Sequence, residues 1–180
     1  MKKNNLCDDQ DRQGDDEALN SLVSVYVDLM GKRIDYYMQF FNKIFYGVSI
    51  FGKTKQKIDL KIAEDVFRIW VFIMDESGFA DYINRSGANP YFLAMFDPIL
   101  ADKLNVPAPN YIHWRLFAEK FDNQDDKGIN PMIIFYEIYS YYDKDFTPVK
   151  DKNMVLDAFC MMGSEIYGDS MLSAIIRNNA

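Results

Sequence analysis

A chain of 180 residues that is 49% hydrophobic and 16% aromatic, with 14 Phe and 12 Tyr, is too apolar for an intrinsically disordered protein and can bury about 70% of the surface its unfolded form exposes. Its net charge of −7 disfavours nonspecific attachment to nucleic acid or to an anionic membrane, and favours a basic protein partner. No window is apolar enough to cross a bilayer, "MKKNNLCDDQ" lacks the core of a secretion signal, and Cys7 and Cys160 make no disulfide framework, so the expectation is a soluble, cytoplasmic protein.

Residues 1–16 carry Lys2, Lys3 and Arg12 against Asp8, Asp9, Asp11, Asp15 and Asp16, with few apolar side chains. They are expected to be a mobile acidic tail, with residues 17–180 forming a single domain. Asp9, Asp11 and Gly14 imitate the start of a calcium loop, but Asn20 stands where the bidentate carboxylate is needed. From Glu17 onward Leu19, Leu22, Val23, Tyr26, Met30, Ile34, Tyr37, Met38, Phe41, Phe45 and Val48 recur at steps of three and four. That spacing predicts one or two long amphipathic helices, with a possible joint at Gly31. A second helical stripe follows through Ile58, Ile62, Val66, Ile69 and Ile73.

Prolines punctuate the remainder. Asn89-Pro90, Asp97-Pro98, Asn130-Pro131 and Thr147-Pro148 each place a side chain able to cap a helix before a residue suited to its first turn. The pattern predicts short helices near 79–85, 90–96 and 98–104, then helices near 110–121, 131–143, 150–166 and 169–178. No alternation of strands and helices occurs, so the expected fold is all-α, a single-domain bundle of about seven to nine helices.

One motif speaks for chemistry. "GVSIFGKT", Gly47 to Thr54, has the letters of a phosphate-binding P-loop. Lys53 would reach phosphate oxygens, Thr54 and Asp75 would hold magnesium, and Glu76 would polarise water. A P-loop must follow a strand, however, and the helical spacing runs through Phe41 and Phe45 without a turn residue. The same holds for Asp75, which follows "VFIM" at the end of a helical stripe. The expected reading is therefore a helix–helix connection at Gly52, with a nucleotide-hydrolysing enzyme as the alternative.

Nothing else suggests catalysis, a cofactor or a metal. His113 is the only histidine, in the first turn of a predicted helix, and is expected to be packed or on the surface. Cys160 lies in an apolar helical pattern and is expected to be inert. Lys53, Lys55, Lys57 and Lys61 lack interleaved aromatics and read as a solvated connection. The acidic loop "FDNQDDKG", with Asp122, Asp125 and Asp126, cannot be a calcium loop, having Lys127 and Ile133 where glycine and glutamate are required. It precedes a helix bearing Tyr136, Tyr139, Tyr141 and Tyr142 that runs into Asp143 and Asp145. Six aromatics between Phe135 and Phe146 cannot all face inward from one helix, and exposed tyrosines beside carboxylates suit a protein-binding surface.

This profile over residues 17–180, small, acidic, aromatic-rich and helical without catalytic groups, resembles the immunity proteins of bacterial toxin systems, such as those of contact-dependent growth inhibition. The resemblance implies that the chain, as monomer or dimer, binds one cognate toxin, often a basic nuclease, and blocks its active site or docking. Asp122, Asp125, Asp126, Tyr141, Tyr142, Asp143 and Asp145 are the residues expected to meet it, their carboxylates standing in for phosphates. A helical scaffold or phage-type accessory protein that self-associates through an apolar patch is a further alternative.

Overall fold

The computed structural model describes residues 7–51, 59–87, 89, 91–122, 130–145 and 153–179, with side chains at 16–43, 59–87, 89, 91–119, 130–145 and 157–178. Among them every element is an α-helix: α1 (Cys7–Phe51), α2 (Leu60–Ser86), α3 (Phe92–Lys103), α4 (Ala108–Asp122), α5 (Pro131–Tyr142), α6 (Asn153–Gly168) and α7 (Met171–Asn179). The all-α expectation holds.

Several helices expected separately are joined. α1 buries Val23, Tyr26, Met30, Ile34, Tyr37, Met38 and Phe41 along one stripe, as their spacing requires, and Gly31 lies within the helix rather than at a joint. The helix already begins at Cys7, so residues 7–16, expected in a tail, are helical. α2 starts where the Asp59 carboxylate accepts the N–H groups of Lys61 and Ile62 at 2.9 and 3.3 Å. It ends at Gly87, whose φ of 68° places its N–H on the Ile83 carbonyl, a left-handed cap that glycine adopts without strain.

Between those caps α2 absorbs both the Ile58–Ile73 stripe and the short helix expected near 79–85. The stripe alone ends at "VFIM" because three polar residues, Asp75, Glu76 and Ser77, come next. All three are buried inside the helix, within an unbroken buried run from Ile69 to Ala80. A helix buried on every side has no polar face to complete its period. α1, α4, α5, α6 and α7 all pack around it, and α3 lies against α1 and α4.

α3 likewise joins the helices expected on either side of Asp97-Pro98. Pro98 sits inside α3 and faces out, as does Ala94, whose carbonyl loses its helical partner there and turns to water. Asp97 caps nothing; it is buried against Arg115. α3 closes on Asn105 at φ 54°, with the Val106 N–H on the Ala101 carbonyl at 2.9 Å. α5 starts at Pro131 as expected, although Asn130 makes no side-chain cap; Thr147-Pro148 lies outside the described residues.

Two aromatic clusters fill the core. Phe67 stacks on Trp70, and Phe159 meets Trp70 and Phe135 with centroids 5.1 and 4.9 Å apart. Trp70 donates its indole N–H to the Pro131 carbonyl at 2.8 Å, which ties α5 to α2. The other cluster gathers Phe72 and Phe96 around Tyr26, with Phe92 between Phe96 and Phe79. α6 reaches α2 through Gly78, where any Cβ would run into the Tyr167 carbonyl oxygen. This close approach sets where the chain turns into α7.

Candidate functional site

The residues expected to meet a partner fall at the end of α5 and in the segment before it. Asp122 is the last residue of α4, and Asp125 and Asp126 lie outside the described residues. Tyr141 and Tyr142 close α5, exposed by 43% and 41%. Trp114 of α4, itself only 2% exposed, braces both: its ring meets Tyr141 edge-on at 5.5 Å and Tyr142 at 6.5 Å. The two tyrosines stand perpendicular, 5.1 Å apart. Asp145 is exposed and donates its N–H to the half-buried Asp143 carboxylate at 3.2 Å.

Asp65 of α2 adds a charge there, since burial first and then Tyr141 and Asp65 raise the Tyr142 hydroxyl pKa. Tyr139 belongs to the core instead, its hydroxyl accepting the Asp59 N–H at 3.0 Å. The same α4–α5 surface carries exposed His113 with its Nε2 3.9 Å from Glu137. Leu116 and Ile133 are exposed one helical turn further along it. His113 is thus a surface residue stacked on Phe117.

The second concentration of chemistry is inside the bundle, in two adjacent residues of α2. Asp75 receives five hydrogen bonds, from α1, from α7 and from Ser170 just ahead of α7. Its Oδ1 accepts from Arg33 of α1 at 3.1 Å and from the Met171 N–H at 2.7 Å. Its Oδ2 accepts from the Tyr26 hydroxyl at 3.0 Å, the Leu172 N–H at 3.1 Å and the Ser170 hydroxyl at 3.3 Å.

Asp75 therefore caps α7 across the molecule, meeting the unsatisfied N–H groups and the positive end of that helix, while Ser170 caps it locally through the Ser173 N–H. Burial pushes the Asp75 carboxyl above its usual range, and the Met171 and Leu172 N–H groups, Arg33 and Tyr26 pull it back. With these donors converging, it is held as a carboxylate. Arg33 also bonds the Asp169 carbonyl and lies over the Tyr37 ring.

Glu76 points to the other side, toward α3 and α4, and is also fully buried. There Asp97 Oδ2 accepts from Arg115 Nε at 2.5 Å, and Arg115 also pairs with Glu119. Neither Glu76 oxygen makes a well-formed hydrogen bond among the described residues, nor do Asp97 Oδ1 and the Tyr111 hydroxyl, although the Tyr111 hydroxyl lies close enough to favour the Glu76 carboxylate. Burial drives the Glu76 carboxyl well above its ordinary range, and the Asp97 charge adds to this against Arg115. Burial also lifts Asp97 to about 6 in spite of Arg115, and Tyr111 stays neutral for the same reason.

Two residues of the P-loop reading, Asp75 and Glu76, are used elsewhere in this geometry. Gly47 to Phe51 are helical, continuing α1; Gly52, Lys53 and Thr54 lie outside the described residues. Asp75 and Glu76 are enclosed by the bundle, with Asp75 committed to α7 and Arg33. A phosphate cradle needs a turn of inward N–H groups after a strand, and no strand occurs among the described residues. No group of His, Cys, Asp and Glu suited to a metal ion occurs there either. Cys160 is a free, half-buried thiol whose pKa burial raises.

Sequence reasoning misses the side chains that meet the α2 carboxylates: Tyr26, Arg33 and Ser170 bonded to Asp75, and Asp97, Tyr111 and Arg115 around Glu76. One signal points to them. Two acids inside a helix-periodic apolar run must be buried, and buried carboxylates require donors. No protein-family model, curated protein or solved structure matches this chain.

Proposed function

We propose that this chain is a cytoplasmic protein-binding module, an immunity protein that neutralises a basic toxin through the face at the end of α5. The carrying observation is the pair Tyr141 and Tyr142, each more than two-fifths exposed and braced from beneath by Trp114. Tyrosines held by a buried ring lose little conformational freedom on binding, and they offer large contact area with a polar edge. Asp65, Glu137, Asp143 and Asp145 surround them with negative charge, which steers and orients a basic partner. Asp122 closes α4, and Asp125 and Asp126 come soon after it in the sequence. No helix among the described residues is long and apolar enough to cross a membrane.

The test is capture from the native cell at low salt, with identification of the retained protein and measurement of its association rate. The reading expects one basic toxin encoded beside this chain, with association slowing as salt rises. Tyr141→Ala with Tyr142→Ala should weaken binding at least tenfold at unchanged stability. Salt-independent self-association as the only interaction would overturn it and favour the scaffold reading, for which exposed Leu116 and Ile133 supply an apolar patch.

A further inference from the structure

Glu76 makes no well-formed hydrogen bond and has no place in the proposed binding face, and the groups around it decide its state. Facing it are Asp75 from its own helix, Tyr26 from α1, Asp97 from α3, and Tyr111 and Arg115 from α4. Arg115 is the one cation of that set, and it is already divided between Asp97 and Glu119. An ionised Glu76 would add a third carboxylate to a single guanidinium. Its oxygens are closed to solvent and make no well-formed hydrogen bond, with the neutral Tyr111 hydroxyl as a nearby donor, and a buried anion so poorly supplied with donors protonates instead.

The neutral acid also solves a second problem. Asp97 Oδ1 is a buried acceptor without a donor and the Tyr111 hydroxyl is buried and unpaired, and a carboxylic acid brings a second O–H into this cluster beside that of Tyr111. We propose that Glu76 is a proton-binding site, and that its bound proton latches α3 and α4 onto α2. The proton's release requires water to reach the carboxylate, so it can leave only when α3 and α4 lift. Lifting α3 also parts Phe96 from Tyr26, whose rings are 5.6 Å apart. The latch is therefore closed at low pH and loosens as pH rises.

The experiment uses the full chain labelled with 13C at glutamate Cδ, with the Glu76 resonance assigned by its loss in Glu76→Gln. The expected result is a Glu76 signal with the protonated shift at neutral pH, while the other glutamates have already titrated. Amide-exchange protection of α3 and α4, corrected for intrinsic rates and referred to α5, should fall about tenfold per pH unit above the ordinary glutamate range. In Glu76→Gln, which carries no removable proton, that fall should disappear. Should the glutamine variant not fold, Glu76→Met provides the same assignment and the same flat profile. A Glu76 signal that titrates with the surface glutamates would overturn the proposal. So would equal pH dependence of α3–α4 protection in wild type and variant.

Discussion

Asp75→Asn isolates what the trans cap contributes. The amide is isosteric with the carboxylate, so packing is kept while the charge and one acceptor are lost. With its oxygen at the δ1 position, the asparagine still accepts from Arg33 and the Met171 N–H. Its NH2 then faces the Tyr26 and Ser170 hydroxyls, which can rotate to accept, and the Leu172 N–H, which cannot. One buried donor is left opposing another, and Arg33, with its side chain 11% exposed, loses its buried counter-charge. Breaking one side of a buried pair costs about 3–5 kcal/mol. At about 2–4 °C per kcal/mol for a chain of this size, the melting temperature should drop by about 10 °C. Urea denaturation gives the free energy, and amide exchange should place the earliest loss in α7. A double-mutant cycle with Arg33→Met supplies the control. A loss under about 1 kcal/mol, or a coupling energy near zero, would refute the reasoning.

Two glycines of opposite character should respond oppositely to alanine. Gly31 is inside α1 with open space, nothing within 4 Å, where a Cβ would project, so Gly31→Ala should stabilise by about 0.5–1 kcal/mol through helix propensity. Gly78→Ala drives a Cβ against the Tyr167 carbonyl oxygen, and backbone cannot yield as a side chain can. A loss of about 3 kcal/mol is expected, at the upper end of overpacking costs, with both variants read by urea denaturation. On the surface, Tyr141→Ala with Tyr142→Ala should leave stability within about 1 kcal/mol of wild type, because both rings are already half in water, while weakening partner binding at least tenfold. Circular dichroism melts alongside a binding titration separate the two effects.

What was legible in the sequence was what repeats. The stripe from Val23 to Phe41 on α1 is visible because one face is apolar and the other is not. The start of α5 at Pro131 is visible because proline suits a first turn. The middle of α2 was not, since a helix surrounded by others carries no periodic contrast, and Asp75-Glu76-Ser77 resembles an end when local context alone is read. Asp97-Pro98 misled for a related reason: the side chain that could have capped a helix was recruited by Arg115, 18 residues away. Partners such as Arg33 and Ser170 have no sequence signature at all, because their roles arise only when distant turns meet.

The Met171 N–H finds its acceptor 96 residues earlier in the chain. A contact that distant cannot form by local zippering; it waits until α1, α2 and α6 have already found one another. Until then Asp75 must stay hydrated, which keeps the middle of α2 from entering the interior. Sealing that interior and winding the first turn of α7 are thus one event, and loss of either should undo the other. Equilibrium unfolding should accordingly proceed as a single cooperative step, with local openings such as that of α3 and α4 occurring within the native state.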